Sequence, residues 1–525
     1  MSNSVATRRR LLRAGGSAAI LTLAACAPGE RAGGGRNPFS LGVASGYPTE
    51  GGVVLWTRLA PEPLALDGAG GMAASDVDLT WEIAEDERFT RAVRRGRAVA
   101  SPAWGHSVHV EIGGLSPARP YWYRFLAGGE SSPVGRTRTA PPRGASVDRL
   151  RFAYASCQQF EQGWFTAHRH IAAEELDLMV FLGDYIYESA WGGDHVRKHE
   201  AAAPETLAQY RNRHACYRGD ADLQACHAAF PWIVTWDDHE VENDYGGERS
   251  QTLWPRDRFL ARRAAAYKAF YEHMPLPDAM RPQGPDMRIY THVDYGSLAR
   301  FHVLDDRQYR SPQVCPRAHR GGSNLVGDAC AERLDPALTL LGGVQERWLE
   351  QSFAASPARW NVIAQQSLMS QLRRRNAAGD SRVWTDSWDG YPEARRRLLD
   401  AMTRHKLRNP LVIGGDVHAF YVSDVKRDFD DPRSPVVASE ICGTSITSQG
   451  PGYARLARLA GDNPHLKLAD GSVRGYVAMT LDRDTAQGRL RVVETVKQKG
   501  AAIRTLATIV VRDGRPGPLL AGAQS

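Results

Sequence analysis

Three short stretches constrain what this chain can fold into more than any other feature: Phe181-Leu-Gly-Asp-Tyr-Ile-Tyr187, Trp236-Asp-Asp-His-Glu240 and Val412-Ile-Gly-Gly-Asp-Val-His418. Each closes an apolar run with small residues, acids or a histidine. Such a run reads as a buried strand whose carboxyl end delivers polar groups into a crevice. Oxygen ligands from three separate strand ends, with two histidines beside them, point to a hydrolytic site that holds several metal ions.

The N-terminus reads as an address. Arg8-Arg9-Arg10-Leu11-Leu12 precedes a short apolar run from Ala18 to Ala25, and then Cys26. That run is well under the roughly 20 apolar residues a spanning helix needs, so residues 1–26 read as a twin-arginine export signal. Leu23-Ala24-Ala25-Cys26 resembles a lipobox, which would make Cys26 a lipidated first residue of the mature chain. The alternative is ordinary cleavage nearby with Cys26 incidental. Residues 27–36, rich in Gly and Arg, read as a flexible tether. The expected location is periplasmic or cell-surface, with membrane attachment only through the lipid anchor. Twin-arginine export carries folded proteins, which suits a chain that loads a metal before it leaves the cytoplasm.

With 42% hydrophobic and 24% charged residues, the remainder is an ordinary globular chain long enough for two or more domains. The formal charge of +7 includes Arg8, Arg9, Arg10 and Arg13 of the signal, which contains no acids. The mature chain therefore carries no charge-based case for nucleic acid, and a monomer is expected. Cys216/Cys226 and Cys315/Cys330 are locally spaced pairs, plausible disulfides in an oxidising compartment or else reduced and buried. Cys157 and Cys442 are left over.

Residues 37–145 read as all-β. Gly52–Arg58, Asp78–Ile83, Ser107–Ile112 and Tyr121–Phe125 are short runs of β-branched and aromatic residues separated by Gly and Pro. Leu115-Ser-Pro-Ala-Arg-Pro-Tyr-Trp-Tyr123 resembles the corner of fibronectin type III or immunoglobulin-like sandwiches. Ala140-Pro-Pro-Arg-Gly144 marks a boundary. From residue 150 to 512 strands alternate with helices, among them helices near 164–176, 345–355 and 392–405, which argues a layered α/β catalytic domain. Residues 470–512 alternate again and complete a sheet.

Asp184 emerges as its strand ends, where one carboxylate can bridge two cations. Tyr187 offers a phenolate suited to a ferric ion, and Cys157, in Ala155-Ser-Cys-Gln158, offers a thiolate that can reach the same metal. Asp238 is positioned as a ligand of a second metal. His239 beside it can donate to a phosphoryl oxygen or protonate a leaving alkoxide. Asn243 can reach the substrate or a cation. Asp416 and His418, at i and i+2, can face one ion. Arg307 ends another strand, either to stabilise charge on phosphate or to pair with Asp305 or Asp306.

Taken together with Gly42-Val-Ala-Ser-Gly46, Val54-Leu-Trp-Thr-Arg58 and Leu304-Asp-Asp-Arg-Gln-Tyr-Arg310, these motifs resemble the PhoD-type alkaline phosphatase/phosphodiesterases, a branch of the calcineurin-like metallophosphoesterases. The resemblance runs from about Pro38 to about Val511. It implies an exported enzyme with an N-terminal β-sandwich before a four-layered α/β/β/α core, and a cofactor of Fe(3+) and Ca(2+). It implies Cys157, Tyr187 and a bridging Asp184 as ligands, with Asp238, Asn243, Asp416 and His418 completing the set. The wider superfamily shows an Asn-His pair and a His-x-His motif. Here these are Asp238-His239 and Asp416-x-His418, a harder set that favours calcium or iron over zinc.

The expected chemistry is metal-assisted in-line hydrolysis of phosphomonoesters and phosphodiesters by a bound hydroxide or oxide, with His239 and Arg307 as catalytic groups. Phosphate acquisition outside the cytoplasm is the expected purpose. Two alternatives are an exported nuclease or nucleotidase of the same superfamily, and a surface lipoprotein whose metal centre is structural.

Overall fold

The computed structural model describes residues 37–375 and 378–521. The export signal, the tether and Cys26 lie outside the described residues. The first eight strands are β1 (Val43–Thr49), β2 (Gly52–Arg58), β3 (Val77–Ala84), β4 (Ala92–Ala100), β5 (Ser107–Ile112), β6 (Pro120–Ala127), β7 (Glu130–Ser131) and β8 (Gly135–Arg138). One sheet runs β4-β3-β6-β7, with β8 also on β6, and faces β1-β2-β5 across a sandwich core. The period-2 alternation of β6 explains its place: Tyr121, Tyr123, Phe125 and Ala127 turn inward while Trp122 and Arg124 do not. Tyr121 closes the corner seen in the sequence, its hydroxyl accepting from Ser116 N–H at 2.9 Å.

Three parallel strands follow: β9 (Leu150–Ala155), β10 (Leu178–Leu182) and β11 (Pro231–Thr235). They are apolar and nearly all buried, as a sheet covered on both faces requires. The next strands are β12 (Thr291–Tyr295), β13 (Ala299–Val303), β14 (Leu325–Val326), β15 (Trp360–Ala364), β16 (Arg374–Arg375), β17 (Ser381–Trp384), β18 (Pro410–Gly414), β19 (Phe420–Lys426), β20 (Val436–Cys442) and β21 (Leu466–Asp470). Most of them build a second sheet ordered β12-β13-β15-β18-β20-β19-β21, and β14-β17-β16 form a small one. The chain closes with β22 (Arg474–Leu481), β23 (Thr485–Val493), β24 (Ile503–Arg512) and β25 (Arg515–Leu520).

These last strands return to the first sheet, which is ordered β25-β24-β23-β22-β9-β10-β11-β1-β2-β5. Half of the sandwich is therefore continuous with the catalytic sheet. The joint is the parallel pair of β1 and β11, with Gly46 opposite Trp232. Gly46 permits the close approach, because a Cβ there would lie 2.5 Å from the Pro275 carbonyl oxygen and 2.8 Å from that of Trp232.

The two large sheets pack face to face. Phe152 of β9 meets Phe301 of β13 edge-on at 5.1 Å, and the Tyr154 hydroxyl donates across to the Ile441 carbonyl. Ile171, Leu223 and Phe270, from helices Thr166–Ala172, Ala221–Ala229 and Arg256–His273, join the core of the first sheet. Phe353 and Leu399, from helices Gly342–Ala354 and Pro392–Arg404, pack with Ile363 and Val412 of the second. The result is the α/β/β/α arrangement. Among the described residues no helix is long and apolar enough to cross a membrane.

Cys315 and Cys330 are joined by a disulfide. Cys216 and Cys226 are free thiols, a correction to the expected second pair. The segment between them is not a loop that can fold back. It is divided between helices Leu207–Arg218 and Ala221–Ala229, whose own backbone bonds and packing set where each thiol points.

Candidate metal centre

The carboxyl ends of β9, β10, β11 and β18 converge where the two sheets meet. Cys157, Asp184, Asp416 and His418 sit just past these ends with φ of 59°, 55°, 63° and 52°. Left-handed backbone disfavours residues with a Cβ by about 1–2 kcal/mol each, so the surroundings must hold these turns. Cys157 N–H donates to the Gly183 carbonyl at 3.2 Å, and Gln158 N–H to that of Asp184 at 3.1 Å. Glu240 braces the next turn by accepting from the N–H groups of Asp184, Tyr185 and Asp237 at 3.2, 2.5 and 2.7 Å. Gly183, at φ 98°, allows the turns to touch, since a Cβ would fall 2.5 Å from that of Asp237.

Three donor sets share members, each with ligand atoms within 4.8 Å of one another: Cys157, Asp184 and His418; Asp184, Asp238 and His239; and Asp238, Asp244 and Asp386. Asp184 links the first two sets and Asp238 the last two. Tyr187 sits inside the first, its hydroxyl donating to Asp184 Oδ2 at 2.8 Å, 3.1 Å from His418 Nε2, and accepting from Ser448 Oγ at 2.8 Å. His418 Nδ1 faces the Gln449 carbonyl at 2.8 Å, which leaves Nε2 toward the cluster. Trp191 stacks on the His418 ring at 5.5 Å.

Burial raises the pKa of the Cys157 thiol and the Tyr187 phenol, and the nearby Asp184 raises both further. Burial also raises the Asp184 carboxyl well above its ordinary range, with His239 opposing. Asp238 differs: burial would raise it, but Arg307 and His239 prevail and hold it at about 2. In His239 burial favours the neutral ring, yet Glu188, Asp184 and Asp238 outweigh that and raise its pKa well above the usual value. The thiol, the phenol and one carboxyl thus resist ionisation until a cation compensates them, the behaviour of groups that gain charge when they bind metal. Buried Asp184 Oδ1 and Asp238 Oδ1 have no hydrogen-bond partner among the described residues. Paired with the donor sets, these two oxygens fit multivalent cations.

Residues 152–490 match the family described as PhoD-like phosphatase, and residues 25–141 match the PhoD-like phosphatase N-terminal domain. The chain belongs to the PhoD-like phosphatases. Alkaline phosphatase D of Bacillus subtilis (strain 168) is 46% identical over 491 residues, covering 91% of this chain and 82% of the relative. A solved structure titled "Structure of PhoD" superposes with a TM-score of 0.87 at 45% identity, covering 93% of each chain.

Within this PhoD-like centre the structure assembles Cys157, Asp184, Tyr187, Asp238, His239, Asp416 and His418. Asn243 lies beside it, its backbone N–H donating to Glu188 Oε1 at 3.1 Å. Arg307, expected either to stabilise charge on phosphate or to pair with Asp305 or Asp306, makes ion pairs with other acids. It is fully buried; Nε donates to Asp237, and Nη1 reaches the two Asp386 oxygens at 2.9 and 2.8 Å. Its Nη2 lies 3.5 Å from Asp238 and 3.8 Å from Asp416. Of the two acids expected to pair with it, Asp305 accepts only its backbone N–H. The sequence reading missed Glu188, Asp244, Asp386 and Ser448. Glu188 had a signal, since it follows Tyr187 directly. Asp386, in a Trp- and Ser-rich loop, had none.

Proposed function

We propose that this chain hydrolyses phosphate monoesters and diesters at alkaline pH with the help of a ferric ion and calcium. The observation that carries the reading is the run of donor sets joined through Asp184 and Asp238, whose Oδ1 atoms are buried and without a hydrogen-bond partner among the described residues. Thiolate and phenolate at one end suit a ferric ion, and the hard oxygen donors beside them, with Asp184 Oδ1 and Asp238 Oδ1 free of hydrogen bonds among the described residues, suit a hard cation such as calcium. Cys157, Asp184, Tyr187 and His418 would hold the first, and Asp184 and Asp238, with Asn243 and Asp416 beside them, the second. When bound, such cations polarise phosphoryl oxygens and lower the pKa of water.

The chain's own residues carry the rest. His239 Nδ1 is fixed by Glu188 Oε2 at 2.6 Å, and that carboxylate helps keep the ring protonated. The ring then offers its Nε2 proton to a phosphoryl or leaving-group oxygen. Arg307 holds Asp237, Asp238 and Asp416 at fixed spacing. Tyr187 lies against the His239 ring, centroids 4.0 Å apart and tilted by 33°, and limits its orientation.

Export by the Arg8-Arg9 signal, with a lipid on Cys26, is the location we infer. The Cys315–Cys330 bridge supports an oxidising compartment, and release of phosphate outside the cytoplasm is the purpose that follows. Hydrolysis of p-nitrophenyl phosphate and its bis ester, together with elemental analysis, tests the chemistry. Both esters cleaved by protein containing iron and calcium is the expected result; activity confined to nucleotides or nucleic acid would favour the nuclease reading. Replacing Arg8 and Arg9 by Lys should retain the protein in the cytoplasm, and mass spectrometry should find an acyl group on Cys26.

A further inference from the structure

Arg474 opens β22 beside the His418 end of the metal centre, and the hydrogen bonds of its guanidinium go to uncharged acceptors. Nη1 lies 2.8 Å from the His418 carbonyl oxygen, 2.9 Å from Thr444 Oγ1 and 3.1 Å from Ser445 Oγ, and Nη2 donates to the Gly471 carbonyl at 2.5 Å. The carbonyl it grips belongs to a residue in left-handed backbone, φ 52°, a turn that persists only where its surroundings hold it. Gly450 makes room for this contact, because a Cβ there would run into the His418 carbonyl and stand 2.7 Å from Arg474 Nη2. Thr444 and Ser445 begin a segment that reaches the other donors of the same set. Ser445 Oγ donates to the Ser448 carbonyl, and Ser448 Oγ lies 2.8 Å from both the Cys157 carbonyl and the Tyr187 hydroxyl. The Gln449 carbonyl faces His418 Nδ1 at 2.8 Å. Gly475 N–H donates to the Ser445 carbonyl at 2.9 Å, which seats Arg474 against the segment. Residues 444–449 thus touch Cys157, Tyr187 and His418, and Arg474 joins them to the His418 turn from a second side.

We infer that Arg474 is a positioning residue for the ferric end of the centre: it locks the His418 turn to the Thr444–Gln449 segment, and so sets how tightly Cys157, Tyr187 and His418 hold iron. The inference rests on the proposed ferric reading. Outer partners of metal ligands fix the orientation of those ligands and through it the affinity for the metal. Here the outer partners act on backbone as well as side chains: the His418 carbonyl, the Cys157 carbonyl, the Tyr187 hydroxyl and His418 Nδ1 are all held by one segment and one guanidinium. A planar guanidinium reaches two carbonyls and two hydroxyls together. A lysine ammonium, a point charge on a flexible stem, does not reproduce that fork.

The test sets a hydroxamate chelator in competition for iron against the full chain in four forms: native, Arg474→Lys, Arg474→Met and Ser448→Ala. The visible band reports the iron that stays bound. Loss of an outer partner of a ligand typically weakens metal binding about 10–100-fold, and that loss is expected in all three variants, with Arg474→Lys giving no rescue and the band shifted from its native position. Calcium content, and the melting temperature of the iron-free protein, should stay near native values, a combination that general unfolding would not produce. Arg474→Lys and Ser448→Ala decide the question if Arg474→Met fails to fold. Iron held as tightly as in the native protein by Arg474→Lys or by Ser448→Ala overturns the inference. Iron-free Arg474→Lys that melts far below iron-free native protein assigns the residue to the fold alone and overturns it as well. Native protein that binds no iron overturns the ferric reading and this inference with it; native iron binding that ignores Arg474 overturns this inference alone.

Discussion

Glu188 Oε2 lies 2.6 Å from His239 Nδ1, two groups 51 residues apart in the chain. Glu188 also accepts the Asn243 N–H, so its carboxylate is held from both sides and in turn fixes the imidazole. An acid–imidazole pair of this kind sets both the orientation and the charge of a proton donor.

His239→Ala should lower turnover by roughly 10²–10⁴-fold, the usual range for an acid–base group, with iron and calcium near native levels. Glu188→Gln keeps a hydrogen-bonding side chain but removes the charge, and its loss should fall between native and His239→Ala. Steady-state rates with elemental analysis decide this; full activity in His239→Ala would remove it from the mechanism.

Arg307 is the only cation reaching Asp237, Asp238, Asp386 and Asp416 together among the ion pairs of the described residues. Removing one partner of a buried pair costs about 3–5 kcal/mol, because the remaining charges stay desolvated. Arg307→Met should therefore lower the urea midpoint strongly, and Arg307→Lys should recover little, since lysine lacks the fork that spans two carboxylates. A native midpoint in Arg307→Met would count against the counter-ion role.

Phenolate and thiolate donors favour a ferric over a ferrous ion. The native protein should absorb in the visible. Tyr187→Phe keeps the ring and loses the oxygen, and Cys157→Ser keeps the size and changes the donor. Both should fold, bleach or shift the band, and lose most phosphatase activity. Iron-free protein with full activity would return the centre to a generic two-metal hydrolase.

Buried histidines away from the centre make stability depend on pH. Burial lowers His168 and His214 to about 3 and His109 to about 4, against an ordinary value of 6.5. The folded pKa is the lower one, so between these values the unfolded chain binds more protons than the native one. Stability therefore rises with pH through this window and is lost as pH falls from about 6.5 toward 3–4. Thermal melts between pH 8 and pH 4 should show the melting temperature dropping below pH 6.5, with a shallower drop in His168→Gln. A flat profile would refute it.

Apolar runs ending in Asp184, Asp238 and Asp416, together with the Leu115–Tyr123 corner and the alternation of strands and helices, were visible in the sequence. They depend on neighbours only a few residues away: side-chain period, turn-forming Gly and Pro, and the rule that strand ends face a crevice. The second half of the sandwich was not visible as part of the catalytic sheet, because the pairing of Ser45 with Pro231 joins distant segments with no local mark. The same holds for Arg307 and Asp386, 79 residues apart, whose pairing has no local mark either. Cysteine spacing alone treated two pairs alike. Tertiary structure separated them: an irregular loop brings Cys315 to Cys330, while two helices fix Cys216 and Cys226 as free thiols. Local pattern determined which residues sit at strand ends; only the packing of the two sheets decided which charges meet there, since that depends on distances the linear order does not contain.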